Sequence, residues 1–283
     1  MTSPHSLPKT DSDAVLTRIA EALERLAPPA PTEVNWLDAP AFVVGNNGAR
    51  AVARLDAPRL DLIRGVETQK ERVVDNVERL AAGFAAHDML LWGSRGMGKS
   101  ALVRAAILAA QARHAGSVAL VQVAQDSLEQ VSGLFNRLGA FERRFLVFID
   151  DLGFEEHDGA GPRLLRSWLE GGVEARPQNV RLAVTSNRRA IVSRSMSEQD
   201  DPINPRDVLD DKLALADRFG LSIGFHACDQ DAYLAIIEGY AQSFGLDWHS
   251  DDALEWSRRR GARSGRIAWQ YVNELAGRAG KAI

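Results

Sequence analysis

The run Leu90-Leu91-Trp92-Gly93-Ser94-Arg95-Gly96-Met97-Gly98-Lys99-Ser100 is an apolar strand that leads into G-x-x-x-x-G-K-S. Glycines at this spacing let the backbone fold tightly enough for its N–H groups to cradle phosphate oxygens. Lys99 is then placed to reach the β- and γ-phosphates, and the Ser100 hydroxyl to ligate Mg²⁺. A helical pattern, Ala101 to Ala112, follows directly and points its positive end at the same phosphates. Strand, loop and helix in this order predict a site for ATP or GTP with Mg²⁺. Its loop is Gly93, Ser94, Arg95, Gly96, Met97, Gly98, Lys99, Ser100 and Ala101.

A second apolar strand, Arg144-Phe145-Leu146-Val147-Phe148-Ile149, ends in Asp150-Asp151. Beside a phosphate loop the first acid helps to hold Mg²⁺, and the second orients and polarises the attacking water. The metal therefore falls to Ser100 and Asp150, and the water to Asp151. Asp is one methylene shorter than Glu, so Glu155 or Glu156 stand as alternative bases, and capping the next segment is the other use of such acids. A third strand, Arg181-Leu182-Ala183-Val184-Thr185, runs into Ser186-Asn187. Asn187 can hydrogen-bond the γ-phosphate or the lytic water there, or simply form the turn. Arg218, in Ala216-Asp217-Arg218-Phe219-Gly220 before the last strand, is placed to project towards a neighbouring subunit's γ-phosphate as an arginine finger. A surface ion pair with Asp217 or Asp211 is its alternative. Arg266 opens the last helix and can reach back onto the same phosphate. Together with Arg258, Arg259, Arg260 and Arg263 it also makes an arginine cluster, readable as a nucleic-acid patch or as a solvated face.

These groups need a layered scaffold, and the chain supplies one. From about residue 62, apolar strands alternate with amphipathic helices, the signature of a parallel sheet covered on both faces. The strands fall at Met89–Trp92, Val118–Val123, Phe145–Ile149, Leu182–Thr185 and Leu221–Phe225. The helices fall at Glu67–Phe84, Lys99–Arg113, Leu128–Leu138, Arg163–Leu169 and Val208–Arg218. After Phe225 the alternation stops, and Asp229–Phe244, Asp251–Arg260 and Gly265–Arg278 read as consecutive helices. The fold class is thus α/β: a five-stranded parallel core over 62–227, then a small all-helical lid over 228–283. The first 61 residues form a tail, an amphipathic helix from Ala14 to Leu26, a proline-rich break at Ala27-Pro28-Pro29-Ala30-Pro31, and a strand–turn–strand around Gly45-Asn46-Asn47-Gly48. They read as a small module or as an arm that packs on a neighbour.

Composition bounds the rest. In 283 residues, 45% hydrophobic and 25% charged content are those of an ordinary globular protein. No apolar run reaches the ~20 residues that span a bilayer, which argues against membrane insertion, and the polar start Met1–Asp13 is no signal peptide. One cysteine, Cys228, fits a reducing cytoplasm and reads as a small packing residue. A net charge of −4 argues against broad, non-specific nucleic-acid binding.

The ordered set of phosphate loop, acidic strand, polar sensor strand, arginine before the last strand and lid arginine resembles the AAA+ ATPases. More narrowly, the chain resembles the bacterial domain-of-unknown-function family 815. The matching stretches are Gly65-Val66-Glu67-Thr68-Gln69-Lys70, Leu91–Ser100, Phe148–Glu155, Leu169–Pro177 (LEGGVEARP), Thr185–Arg189 (TSNRR), Asp217–Gly220 and Phe225–Leu234. The resemblance implies a nucleotide held between core and lid with Gly65 and Val66 near the base, ATP as that nucleotide, and ring or helical homo-oligomers, a hexamer among them. It further implies use of ATP to remodel or load a protein or nucleic-acid client. Asp150-Asp151 departs from the usual Asp-Glu of the class.

Overall fold

Alternating side chains along each strand divide the core into two layers. In β5 (Arg144–Ile149), Phe145, Val147 and Ile149 pack to one side and Leu146 and Phe148 to the other. In β4 (Val118–Val123), Ala119, Val121 and Val123 share the first layer while Val118 and Leu120 share the second. Helices close both faces, so the strands read as continuous apolar runs. On one face lie α2 (Glu67–Ala81) and α3 (Lys99–Arg113), with Val73, Val77, Leu102 and Ile107 turned inward. On the other lie α4 (Val131–Gly139) and α5 (Gly161–Glu170), which contribute Leu134, Leu138, Leu165 and Trp168.

The computed structural model describes residues 11–26, 34–153, 161–170, 176–187 and 217–283. Glu155, Glu156, Asp211, most of the helix expected over 208–218, and parts of the LEGGVEARP and TSNRR stretches lie outside the described residues.

Among the described residues the sheet has seven strands where the sequence predicts five. With β1 (Ala41–Gly45), β2 (Gly48–Val52), β3 (Met89–Gly93), β6 (Val180–Ser186) and β7 (Leu221–Phe225), its order is β2-β1-β4-β5-β6-β3-β7. All neighbours are parallel except β1 and β2, which form an antiparallel hairpin. The two extra strands are the turn-linked pair predicted around Gly45–Gly48. They lie in the core's own sheet because Phe42 and Val44 are apolar enough to continue its first layer beside β4.

Other boundaries shift for local reasons. The helix expected at Leu128 starts at Val131, because Ser127 takes a non-helical conformation (φ −122°, ψ 19°) inside a short 3-10 turn at Gln125–Gln130. Helix α2 ends at Ala81 rather than Phe84, where the chain reverses through Gly83. After Phe225 come α6 (Gln230–Phe244), α7 (Ser250–Arg259) and α8 (Gly265–Arg278), with a core of their own around Tyr233, Ile237, Tyr271 and Val272. The N-terminal α1 (Asp11–Leu26) leaves Val15, Leu16 and Ile19 exposed, Leu16 by 61%.

Candidate nucleotide site

Strands β5, β6 and β3 are consecutive in the sheet, so their C-terminal ends bring Asp150-Asp151, Asn187 and the phosphate loop together. The loop leaves β3 at Gly93 (φ 117°), where a Cβ would come within 2.1 Å of the Phe225 carbonyl. That crowding exists because the Ser94 N–H donates to the same carbonyl at 2.7 Å, pinning the loop to the end of β7.

Lys99, the first residue of α3, is 7% exposed. Its ammonium donates to the carbonyls of Gly93 (2.7 Å) and Ser94 (2.9 Å) and to Asn187 Oδ1 (3.3 Å). Burial lowers its pKa, against the opposing pull of Asp151 and then Asp150. Asn187 in turn donates from Nδ2 to Asp151 Oδ1. Next to Lys99, the Ser100 hydroxyl donates to Asp150 Oδ1 at 2.5 Å, and Thr185 Oγ1 donates to the same oxygen at 2.6 Å. Two chains of contacts, Lys99–Asn187–Asp151 and Ser100–Asp150–Thr185, therefore converge on one floor.

Thr185 also accepts the Asp151 N–H at 2.8 Å, and its carbonyl accepts the Leu152 N–H at 2.7 Å. Between these bonds Asp151 turns into the left-handed region, φ 55°, alone among the described non-glycine residues. From the far side Gln125 Nε2 donates to the carbonyls of Asp150 (3.2 Å) and Asp151 (3.0 Å).

Above this floor lies a cavity of about 940 Å³ bounded by the phosphate loop, by Asp56–Arg64 on one side and by α6 and α8 on the other. Six cations line it, Arg59, Arg64, Arg95, Lys99, Arg104 and Arg266, against the three carboxylates of Asp56, Asp150 and Asp151. That balance suits a polyphosphate. Leu62, Ile63, Ile236, Tyr240 and Trp269 give it an apolar wall, with the Tyr240 and Trp269 rings 5.1 Å apart. The Nε of Arg104 is buried without a hydrogen-bond partner.

Helix α8 begins directly on the loop. Ser264 caps it by accepting the Ile267 N–H (3.3 Å), and the Arg266 N–H donates to the Gly96 carbonyl at 3.0 Å. At Gly96 (φ 76°) a Cβ would fall 2.8 Å from Ser264 Oγ and 3.2 Å from Arg266 Cβ, so only glycine fits between loop and helix.

The predicted residues are not all equally placed. Arg95, Gly96, Met97, Gly98, Lys99, Ser100, Ala101, Asp150, Asp151, Asn187 and Arg266 line the cavity. Gly93 and Ser94 stand behind it as acceptors for Lys99. Gly65 and Val66 are not in its lining: Gly65 packs on Ile236, Val66 is buried, and Leu62, Ile63 and Arg64 form the wall instead. Arg218 also lies away from it, paired through Nε with Glu170 Oε1 rather than with Asp217. Cys228 is half-buried, and burial pushes its thiol pKa up. The sequence reading missed Thr185 and Gln125 as site residues. A hydroxyl at the inner end of an apolar strand was the available signal for Thr185, whereas nothing marked Gln125.

The donor set fits a Mg²⁺-bound triphosphate. A buried ammonium faces oxygen acceptors, a serine hydroxyl meets a carboxylate, and the loop glycine leaves no room for a side chain. Fold and site together resemble those of P-loop proteins of the AAA+ type. The profile of the family described as "Protein of unknown function (DUF815)" matches residues 38–279, and the chain belongs to that family. Among solved structures, the Thermotoga maritima RuvB Holliday junction branch migration motor superposes with a TM-score of 0.51 at 18% identity. The match covers 80% of this chain and 68% of RuvB. The Aeropyrum pernix ORC1 protein, solved in complex with DNA, gives 0.51 at 16% identity over 78% of this chain and 65% of ORC1. The chain thus spans about two thirds of these relatives, and at such identities the likeness is one of fold. A search of curated proteins finds no match. No helix among the described residues is long and apolar enough to cross a membrane.

Proposed function

We propose that this chain is an ATPase of the AAA+ type that binds ATP·Mg²⁺ in the 940 Å³ cavity and hydrolyses it in an oligomer to remodel or load a macromolecular partner. The observation that carries this reading is the convergence of Lys99, Ser100, Asp150, Asp151 and Asn187 on the cavity floor. In it, residues 62–227 act as the core and 228–283 as a lid, with Arg266 reaching from lid to phosphate. When bound, Mg²⁺ would supply neutralisation of the phosphate charge. Ser100 and Asp150 would hold it, with Thr185 fixing the Asp150 carboxylate. Lys99 exchanges its carbonyl partners for phosphate oxygens, and Asn187 moves from Asp151 to the γ-phosphate or the water that Asp151 polarises. Arg218 leaves Glu170 to complete a neighbouring subunit's site, so the site is finished only by assembly.

A second reading is a nucleotide-dependent switch that binds ATP and barely turns it over. The contact that favours it is the Asn187–Asp151 hydrogen bond, which occupies the base on a side chain already one methylene short of Glu.

Steady-state ATP hydrolysis over a protein concentration series, with light scattering in ATP and ADP, separates the two. The motor reading expects specific activity to rise with concentration, assembly in ATP, and loss of turnover in both Lys99→Ala and Arg218→Ala. Activity strictly proportional to concentration in a monomer refutes the shared site. Tight binding without turnover, unrescued by Asp151→Glu, selects the switch.

A further inference from the structure

The turn of the β1–β2 hairpin is joined to the two aspartates by an unbroken series of contacts. Asn46, at that turn, donates from Nδ2 to Asp126 Oδ2 (3.1 Å) and accepts from Ser127 Oγ (3.0 Å), and the Ser127 hydroxyl also reaches Asp126 Oδ1 (2.9 Å). The Ala124 N–H donates to the Val44 carbonyl at 2.9 Å, fixing the same loop to β1 from the backbone side. Ser127 is buried and takes a non-helical conformation in the short turn that Gln125 opens just after β4. Gln125 then spends both N–H groups of its amide on the carbonyls of Asp150 and Asp151.

Those two carbonyls flank the one left-handed aspartate of the described chain. An L-residue held there stores roughly 1–2 kcal/mol of strain and stays only while its surroundings over-determine it. Thr185 holds the turn from inside through the Asp151 N–H, and Gln125 holds it from outside through the carbonyls. We propose that Gln125 is a positioning residue for Asp151, and that the hairpin turn, through Asn46 with Asp126 and Ser127, fixes Gln125. The hairpin is thereby an input to the hydrolytic site and not only an added sheet edge. This rests on Asp151 being the water-orienting group of the proposed ATPase.

The test uses full-length protein in four forms: wild type, Gln125→Met, Gln125→Lys and Asn46→Ala. Met keeps the length of Gln and removes its donors, whereas Lys keeps donors at similar reach. Losing two hydrogen bonds to an exposed turn lowers turnover by about tenfold, while KM for ATP and the nucleotide Kd stay within about twofold. Lys restores most of the loss. If Gln125 merely packs, Met outperforms Lys, and that ranking overturns the proposal. Asn46→Ala lowers turnover less, and adds nothing to Gln125→Met in a double-mutant cycle. Full additivity removes the hairpin from the network. Amide exchange of the peptide spanning 150–153 reads the turn without any turnover. It should speed up several-fold in Gln125→Met and recover in Gln125→Lys. Unchanged exchange overturns the positioning role even if wild type proves to be an ATPase, and faster exchange supports it even if wild type does not hydrolyse ATP, an outcome that refutes only the ATPase reading.

Discussion

Replacing Thr185 by Val removes one hydroxyl from the centre of the site and little else, because the two side chains have nearly the same shape. Thr185 is 1% exposed, so the substituted methyl sits in space already filled and no cavity term arises. Two bonds are lost: the donation to Asp150 Oδ1 and the acceptance of the Asp151 N–H. A hydrogen bond to a carboxylate contributes about 1.5–3 kcal/mol, and an amide left without an acceptor costs about 1–3 kcal/mol. Asp150 keeps Ser100 on the same oxygen and Asp151 is exposed to water, so the lower ends apply. The expected cost is about 2.5 kcal/mol, or roughly 5 °C in Tm for a chain of this size. Urea unfolding of the nucleotide-free protein measures it, with Thr185→Ser as the control that keeps the hydroxyl and loses only a methyl, at about 1 kcal/mol. Turnover falls with Val and is largely kept with Ser. A Val variant within ~0.5 kcal/mol of wild type, or a Ser variant less stable than Val, refutes the placement of the hydroxyl between the two aspartates.

Three further outcomes follow from the same geometry. Gly96→Ala forces a Cβ against Ser264 and Arg266, so it should weaken ATP binding by more than tenfold in isothermal titration while the far-UV spectrum stays native. Arg104→Ala removes a half-buried guanidinium, its Nε without a hydrogen-bond partner, one helical turn beyond Ser100. ATP and inorganic tripolyphosphate affinity should both fall about tenfold, and an unchanged tripolyphosphate affinity would remove Arg104 from the phosphate-facing cations. The pKa of Tyr233 is pushed up to about 12, chiefly by burial, so the folded state keeps its proton after the unfolded chain has lost it. The stabilisation is fully present below pH ~10 and is lost as pH rises towards 12. Tyr233→Phe should flatten the alkaline decline in urea midpoint, and an unchanged slope would refute it.

The phosphate loop and the acidic strand are legible because their chemistry is local: a tight glycine turn, an adjacent lysine and serine, and acids at a strand end each occupy a few consecutive residues. The C-terminal helices read as clearly, since Ser264, Gly245 and the apolar periods mark their ends. The seven-stranded sheet does not read, because pairing of β1 with β4 joins residues almost eighty apart and no local signal encodes it. The same holds for the cavity wall at Leu62–Arg64, which an expectation centred on Gly65 and Val66 narrowly misses, and for Gln125, whose role depends wholly on which carbonyls the fold sets opposite it. Arg218 belongs with them, for its partner Glu170 comes from a different element.

The hydrogen bond from Arg266 N–H to the Gly96 carbonyl joins the glycine-rich loop after β3 to the first turn of the last helix. Neither side can shift away from the other without giving up that partner, so the positions of loop and helix are coupled. In the proposed ATPase, a client held by α6–α8 would therefore act on the phosphate loop, and a phosphate held by the loop would act on the client. By reciprocity the two grips act with equal energy in either direction. One backbone contact, at a glycine where any side chain would wedge the parts asunder, would make the C-terminal helices of the proposed ATPase at once its handle and its gauge.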